Sequence, residues 1–422
     1  MNPEYVAPFN EDVNQKRRAD WTCLEATRAK REPQSKRIFD NVCHELLDPP
    51  GSITPEQHRE RFVARLADGA KRHIDDLNVL GPTNQQLYQA IWARMAAYIA
   101  RYQGRHNFEK KRDHVVTLFR RLTGHVDALV GQEIVDVRTA QVFLSALPSM
   151  NYLGDYNAVI RNRTDISSES LRAKSQPYLE ALEDMWARYS DETKQRLGDF
   201  VHFNSHLGRR VKNRVYISAR LAGAPDKVIE AWQASLQETG LQDKVYFKLP
   251  AALSNRFETI ILFQSDKTHD ADIEILVTAF ATNCSRDLLS ERDMPTGVPI
   301  RRGISIAPEP ATINTFTRYS GSRERISYNQ FIAGVSELAF ELAYKDAQTL
   351  RVARPTLQRL KEEAGTYFEG MIRLAEINPD TMVPSLNGGR WPAWVENILE
   401  DAKGADTSKI KASSCPLPTD DG

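Results

Sequence analysis

Arg214-Val215-Tyr216-Ile217-Ser218, Lys244-Val245-Tyr246-Phe247-Lys248 and Arg256-Phe257-Glu258-Thr259-Ile260-Ile261-Leu262-Phe263 are short apolar segments bordered by cations. In the first, Val215 and Ile217 alternate with Arg214, Tyr216 and Ser218, the period of two expected of a strand buried on one face. In the second, Val245, Phe247 and Leu249 share one face, and Lys244, Tyr246 and Lys248 share the other. Thr259 to Phe263 is almost continuously apolar, which predicts a central strand covered on both faces. A further strand is expected over Gly303-Ile304-Ser305-Ile306-Ala307, stopped by Pro308.

Helices punctuate these strands. Pro225 opens one, striped by Val228, Ile229, Trp232 and Leu236 and closed by Gly240. Ile273, Leu276, Val277 and Phe280 mark a second. A last helix starts near Arg325, with Phe331, Ile332, Val335, Leu338 and Leu342 on one side. The order predicts an α+β domain over 206–350, a largely antiparallel sheet with packed helices.

The preceding half reads as an N-terminal helical bundle over 36–205. Thr54-Pro55-Glu56-Gln57 is a capping-box start, followed by Phe62, Leu66, Ala70, Ile74 and Leu77 at helical spacing. Gly81-Pro82 ends that helix. The next is striped by Leu87, Ile91, Met95, Tyr98 and Tyr102, and two more are expected over 109–130 and 167–188. Residues 1–35 read as a flexible arm with basic clusters, 351–402 as C-terminal helices and 403–422 as a disordered tail.

The chain has 422 residues, 41% of them hydrophobic and 27% charged, which suits two or three globular domains. Zero net charge argues against a nucleic-acid binder, and the lack of a long apolar run argues against a membrane protein. Met1 to Asp20 is polar, so the expected location is the cytoplasm, or a host cell if the protein is an injected effector. Four scattered cysteines, none in a CxxC pair, predict free thiols rather than a disulfide framework.

The chain carries no GxxxxGK[ST], no GxGxxG before a helix and no GxSxG. No cofactor is therefore expected. His202 and His206 have the spacing of two zinc ligands on a helix, but without a HExxH glutamate or a third ligand, so no metal is expected either. Asp155 and Asp165, flanking Arg161 and Arg163, are read as a solvated loop rather than an acid/base pair.

The sheet cations are the chemical lead. A phosphate dianion needs several donors, and arginine offers a planar fork. Arg214, Lys248, Arg256, Arg318 and Arg323 come from separate segments, the last two placed in a turn before the final helix. Cations on one face of neighbouring strands can converge on an anion.

These pieces resemble a known family. Arg214-Val215-Tyr216-Ile217, Lys244 to Leu249, Arg256 to Phe263, Thr296-Gly297-Val298-Pro299, Gly303 to Ala307 and the Ser320 to Arg325 turn are similar to the HopA-type type III effector family. That domain also occurs as the lyase component of class V lanthipeptide synthesis and is related to phosphothreonine lyases. The resemblance covers about 210–345.

It implies β-elimination of phosphate from phosphoserine or phosphothreonine, leaving a dehydroamino acid. The substrate would be a peptide or phosphopeptide, with a kinase or a secretion chaperone as partner. It implies Lys248 as base, Tyr216 as acid, and Arg214, Lys244, Arg256, Arg318, Arg323 and Arg325 as phosphate ligands. Phosphothreonine lyases carry Lys-x-His where this chain has Arg214-Val215-Tyr216. Arginine stays protonated, so the base must come from another segment. Glu324 stands where the family has a cation. The alternative is a non-catalytic effector that binds a phosphopeptide or protein through the cationic face.

Overall fold

The computed structural model describes residues 33–47, 54–75, 77, 81–148, 167–208, 211–291, 294–309, 311–320, 327–350, 356–384 and 391–396. These fall into two compact units. One is built from 33–148 and 309–384, the other from 167–308 and 391–396.

The first unit is helical. It holds α1 (Gln34–Leu47), α2 (Pro55–His73), α3 (Gln85–Ala100), α4 (Phe108–Gly131) and α5 (Val137–Ala146). Thr54 accepts the Gln57 N–H at the start of α2 and Asp136 accepts the Thr139 N–H at the start of α5, each satisfying an otherwise unpaired helix donor.

The second unit holds α6 (Ser168–Ala187), β1 (Lys194–Leu197), β2 (Phe200–Phe203), β3 (Val211–Ile217), α7 (Pro225–Thr239), β4 (Tyr246–Pro250), β5 (Ile260–Ser265), α8 (Asp270–Asn283), β6 (Val298–Arg301) and β7 (Ile304–Pro308). The chain then returns to the helical unit with α9 (Ala311–Ser320), α10 (Tyr328–Thr349), α11 (Leu357–Leu374) and a small ladder of β8 (Ile377–Asn378) with β9 (Val383–Pro384).

The seven strands of the second unit form one sheet, ordered β1-β2-β4-β5-β3-β7-β6, with every pair antiparallel. The α+β architecture is as the sequence reading expected, and β5 lies at the centre of the sheet. Its inner face is lined by Val201, Phe203, Val215, Ile217, Phe247, Leu249, Ile260, Leu262, Ile304 and Ile306, packed against α6, α7 and α8. Phe247 stacks on Phe203 at 4.8 Å and meets Trp232 edge-on at 5.5 Å.

Several details differ from the sequence reading. Residues 194–203, placed in the helical half, are the hairpin β1–β2. Gly198, at φ +55°, supplies the left-handed turn between them. Helix α6 packs on the sheet, because Tyr178, Leu182 and Met185 belong to its core. Arg318 sits on α9 rather than in a turn, and β6 and α5 were not foreseen. The helix expected near Arg325 is α10, which begins at Tyr328, where Ser327 and Gln330 close a capping box. That helix is buried on nearly every side, so it belongs at the middle of the helical unit. Its Glu341 accepts from or donates to His73 Nδ1 at 2.8 Å, depending on protonation, and packs directly on Gly69, where a Cβ would clash. The arm, the tail and the basic clusters of 1–32 lie outside the described residues.

Phe247 fixes the inner face, so Phe247→Ala should cost about 3–5 kcal/mol in a urea titration of the full chain. A cost under about 1 kcal/mol would show that this face is not close-packed.

Candidate functional site

Because strand side chains alternate, the residues between the inner-face positions point to the opposite face of the sheet. Strand register sets them in rows. One row runs Gln195, His202, Lys248, Ile261, Tyr216 and Ser305. The next runs Tyr246, Phe263, Arg214 and Ala307. Phe200 lies two residues before His202 on the same face.

Aromatic rings form the floor. His202 stacks on Tyr246 at 5.9 Å and 22°, and Tyr246 stacks on Phe263 at 4.2 Å and 12°. His202 Nδ1 and the Tyr246 hydroxyl are 2.8 Å apart, a hydrogen bond in either tautomer. Cations rest on this floor. Lys248 Nζ is 3.7 Å from the centroid of Phe200 and 5.8 Å from that of Phe263. The Arg256 guanidinium is 4.7 Å from Phe200, and that of Arg214 is 5.4 Å from Phe263. Each such contact stabilises by about 0.5–2 kcal/mol and holds a charge in place without neutralising it.

One carboxylate enters the cluster. Arg256 Nη2 bonds Glu258 Oε1 at 3.2 Å, with both side chains buried. Burial pushes the Glu258 carboxyl up, while the charges of Arg256 and Lys248 pull it back down. Glu258 Oε2 and Arg256 Nε have no hydrogen-bond partner among the described residues. Pairs of this kind are costly to desolvate and costly to break.

His202 answers to the same field. Burial first, and then the Lys248 charge, bring its pKa down to about 4, so the ring is neutral at neutral pH. The Lys248–His202 pair thus carries its positive charge on the lysine.

The sequence-predicted residues divide as follows. Arg214, Lys248 and Arg256 share one aromatic floor. Tyr216 is on the Lys248 row but buried to 2% exposure, with the Ile261 strand between them. Two strand spacings are about 10 Å. Lys244 is exposed in the turn before β4 and makes no side-chain hydrogen bond, ion pair or ring contact among the described residues. Arg318 is exposed on α9 in the helical unit. Arg323, Arg325, Asp155, Asp165, Arg161 and Arg163 lie outside the described residues.

His202 is on a strand and His206 in the turn Ser205–Leu207, so the helical spacing read as a zinc pair does not apply. Among the described residues no His/Cys/Asp/Glu group has the arrangement of a metal site. Burial pushes the Cys43 and Cys284 thiols up to about 12, which suits core packing rather than nucleophilic work. No helix among the described residues is long and apolar enough to cross a membrane.

Phe200, His202 and Glu258 were not read as site residues. A usable signal was present: Gly198-Asp199 between Arg196-Leu197 and Phe200-Val201-His202-Phe203 is a two-residue hairpin turn.

No family model matches the chain, and no curated protein matches it. Among solved structures it is similar to the effector protein from Pseudomonas syringae pv. syringae strain 61. The identity is 12%, over 47% of this chain and 93% of that chain, at a TM-score of 0.27. It is also similar to the effector protein from Pseudomonas syringae pv. tomato strain DC3000, at 13% identity over 57% of this chain and 95% of that chain, again at 0.27. At that TM-score neither likeness bears on function.

His202 is a direct reporter of this geometry. Its ring protons should titrate by NMR at about pH 4. Lys248→Met should raise that value but leave it below 6.5, because burial is the larger cause. The folded pKa lies below the unfolded one, so the stability linked to this group is whole above pH 6.5 and is lost as pH falls toward 4. A ring titrating at 6.5 in the intact protein would contradict the buried placement.

Proposed function

We propose that the chain is a phosphopeptide lyase whose phosphate site is the face of the sheet around Lys248, opposite the apolar core. The observation that carries this reading is that three cations, Arg214, Lys248 and Arg256, come from separate segments onto one aromatic floor, with the Arg256–Glu258 pair beside them. Cations positioned on aromatic faces can present several donors to a phosphate dianion.

The chemistry would run as an elimination. Lys248 Nζ, after losing its own proton to solvent on substrate binding, takes the Cα proton of a phosphoserine or phosphothreonine residue. The C–H electron pair becomes the Cα=Cβ double bond, the Cβ–O bond breaks, and its electrons leave with phosphate. Arg214 and Arg256 stabilise the departing charge. The acid expected from the sequence was Tyr216. Tyr246 is better placed, since it bonds His202, the residue directly opposite Lys248. In the tautomer where His202 Nδ1–H donates to Tyr246 Oη, the phenol proton is available to the leaving oxygen.

A second reading has its own support. Arg256 is engaged by Glu258 and Tyr216 is buried, which favours a face that binds a phosphopeptide without turning it over.

Incubation with a phosphoserine peptide and mass spectrometry separate the two. The lyase reading predicts a product one water lighter than the hydrolysis product, and a loss of about 10²–10⁴-fold in rate for Lys248→Ala. Tyr246→Phe should slow the reaction while sparing peptide affinity. Tight binding without product selects the binding reading. Neither binding nor product overturns both.

A further inference from the structure

The helical unit carries a second cationic cluster that the sheet-face reading does not use. Tyr98 lies in the last turn of α3, Tyr102 in the turn that follows, Lys111 in the first turn of α4 and Arg318 near the end of α9. The Tyr98 and Tyr102 hydroxyls are 3.1 Å apart, with ring centroids at 5.3 Å. Lys111 Nζ sits 3.2 Å from the Tyr102 centroid and 5.6 Å from that of Tyr98. The Arg105 guanidinium is 5.1 Å from the Tyr102 ring. Arg318 is close enough for its charge to act on both phenols.

Charge balance makes this more than a solvated face. Among the described residues, Arg105, Lys111 and Arg318 form no ion pair with a carboxylate. The neighbouring acids, Glu109 and Asp113, are both taken by Arg112, at 2.6 and 3.2 Å. Lys111 is half-buried on its rings rather than extended into water. Three cations from three segments therefore gather around two tyrosines, and among the described residues none of the three is paired with a carboxylate. Such a cluster attracts a counter-charge from outside.

We propose that this cluster binds a phosphate monoester, with Lys111, Arg105 and Arg318 neutralising the dianion and a tyrosine hydroxyl donating to one of its oxygens. A carboxylate brings one charge and two oxygens in a plane. A phosphate monoester brings up to two charges and oxygens in three directions, matching donors that approach from α3–α4 and α9. The site stands independently of the lyase reading.

Tyr102 supplies the readout. The hydrogen bond from Tyr98, with the charges of Lys111 and Arg318, holds its hydroxyl below the usual phenol range. Tyr98 and Tyr319, pushed up by burial, flank it, and the exposed His114 lies edge-on to Tyr319. A bound dianion opposes the cations, so tyrosinate must form at higher pH.

The full chain is titrated by tyrosinate absorbance in chloride, and then in inorganic phosphate at matched ionic strength. The early transition, identified by its absence in Tyr102→Phe, should move to higher pH with phosphate. Lys111→Met, which keeps the stem on the rings, and Arg318→Gln should each weaken the apparent phosphate affinity at least about tenfold. Circular dichroism verifies that both variants fold. Vesicles containing phosphatidylinositol 4-phosphate form a second arm. A larger response to vesicles than to free phosphate assigns the monoester to a lipid headgroup, and an equal response assigns it to a soluble ester. No shift in phosphate, the same shift in chloride, or undiminished affinity in both variants overturns the proposal.

Discussion

Side chains on a strand alternate, so the pairing of β4 with β2 and β5 decides what each of its residues can do. With Phe247 opposite Phe203 and Leu262, the inner face is apolar and Lys248 points away from the core, opposite His202 and Ile261. A slip of one residue would drive Lys248 and Tyr246 into the helices and expose Phe247 and Leu249. The inner-face packing of Phe203, Phe247 and Trp232 thus does two things. It holds the sheet together, and it fixes the row on which His202 and Lys248 meet.

The opposite face then poses an electrostatic problem that its aromatic residues answer. Cations brought together from β3, β4 and the segment before β5 repel one another, and Glu258, paired with Arg256, lies among them. Phe200, and Phe263 stacked on Tyr246, present negative ring faces to Lys248, Arg256 and Arg214, which helps hold the charges close. His202 stays neutral because burial and Lys248 both oppose a second charge there. The helical unit repeats the device with Tyr98 and Tyr102 under Lys111, so the chain seats cations on aromatic faces twice.

Strands β3 and β4 were legible because their inner positions alternate cleanly, β5 because it is an apolar run and β7 because Pro308 stops it, and helices α7 and α8 because of their apolar stripes, with Pro225 and Gly240 bounding α7. The hairpin β1–β2 was missed because four-residue strands give too short a period to compete with the helical spacing of His202 and His206. Helix α9 was missed because its sequence, rich in threonine and asparagine, reads as a turn. Lys248, Arg214 and Arg256 were legible as strand-border cations. Phe200 and Glu258 were not, since their importance comes from register and from a loop folding back, neither of which a linear pattern records.

The central proposal is that a phosphate group binds beside Lys248 on the sheet face opposite the core. The most direct measurement is the His202 ring titration by NMR in the presence of a saturating phosphoserine peptide. A dianion placed there opposes the lysine charge, so the account predicts that the His202 pKa rises from about 4 by roughly one unit or more. A His202 titration left unchanged by the bound peptide would contradict it.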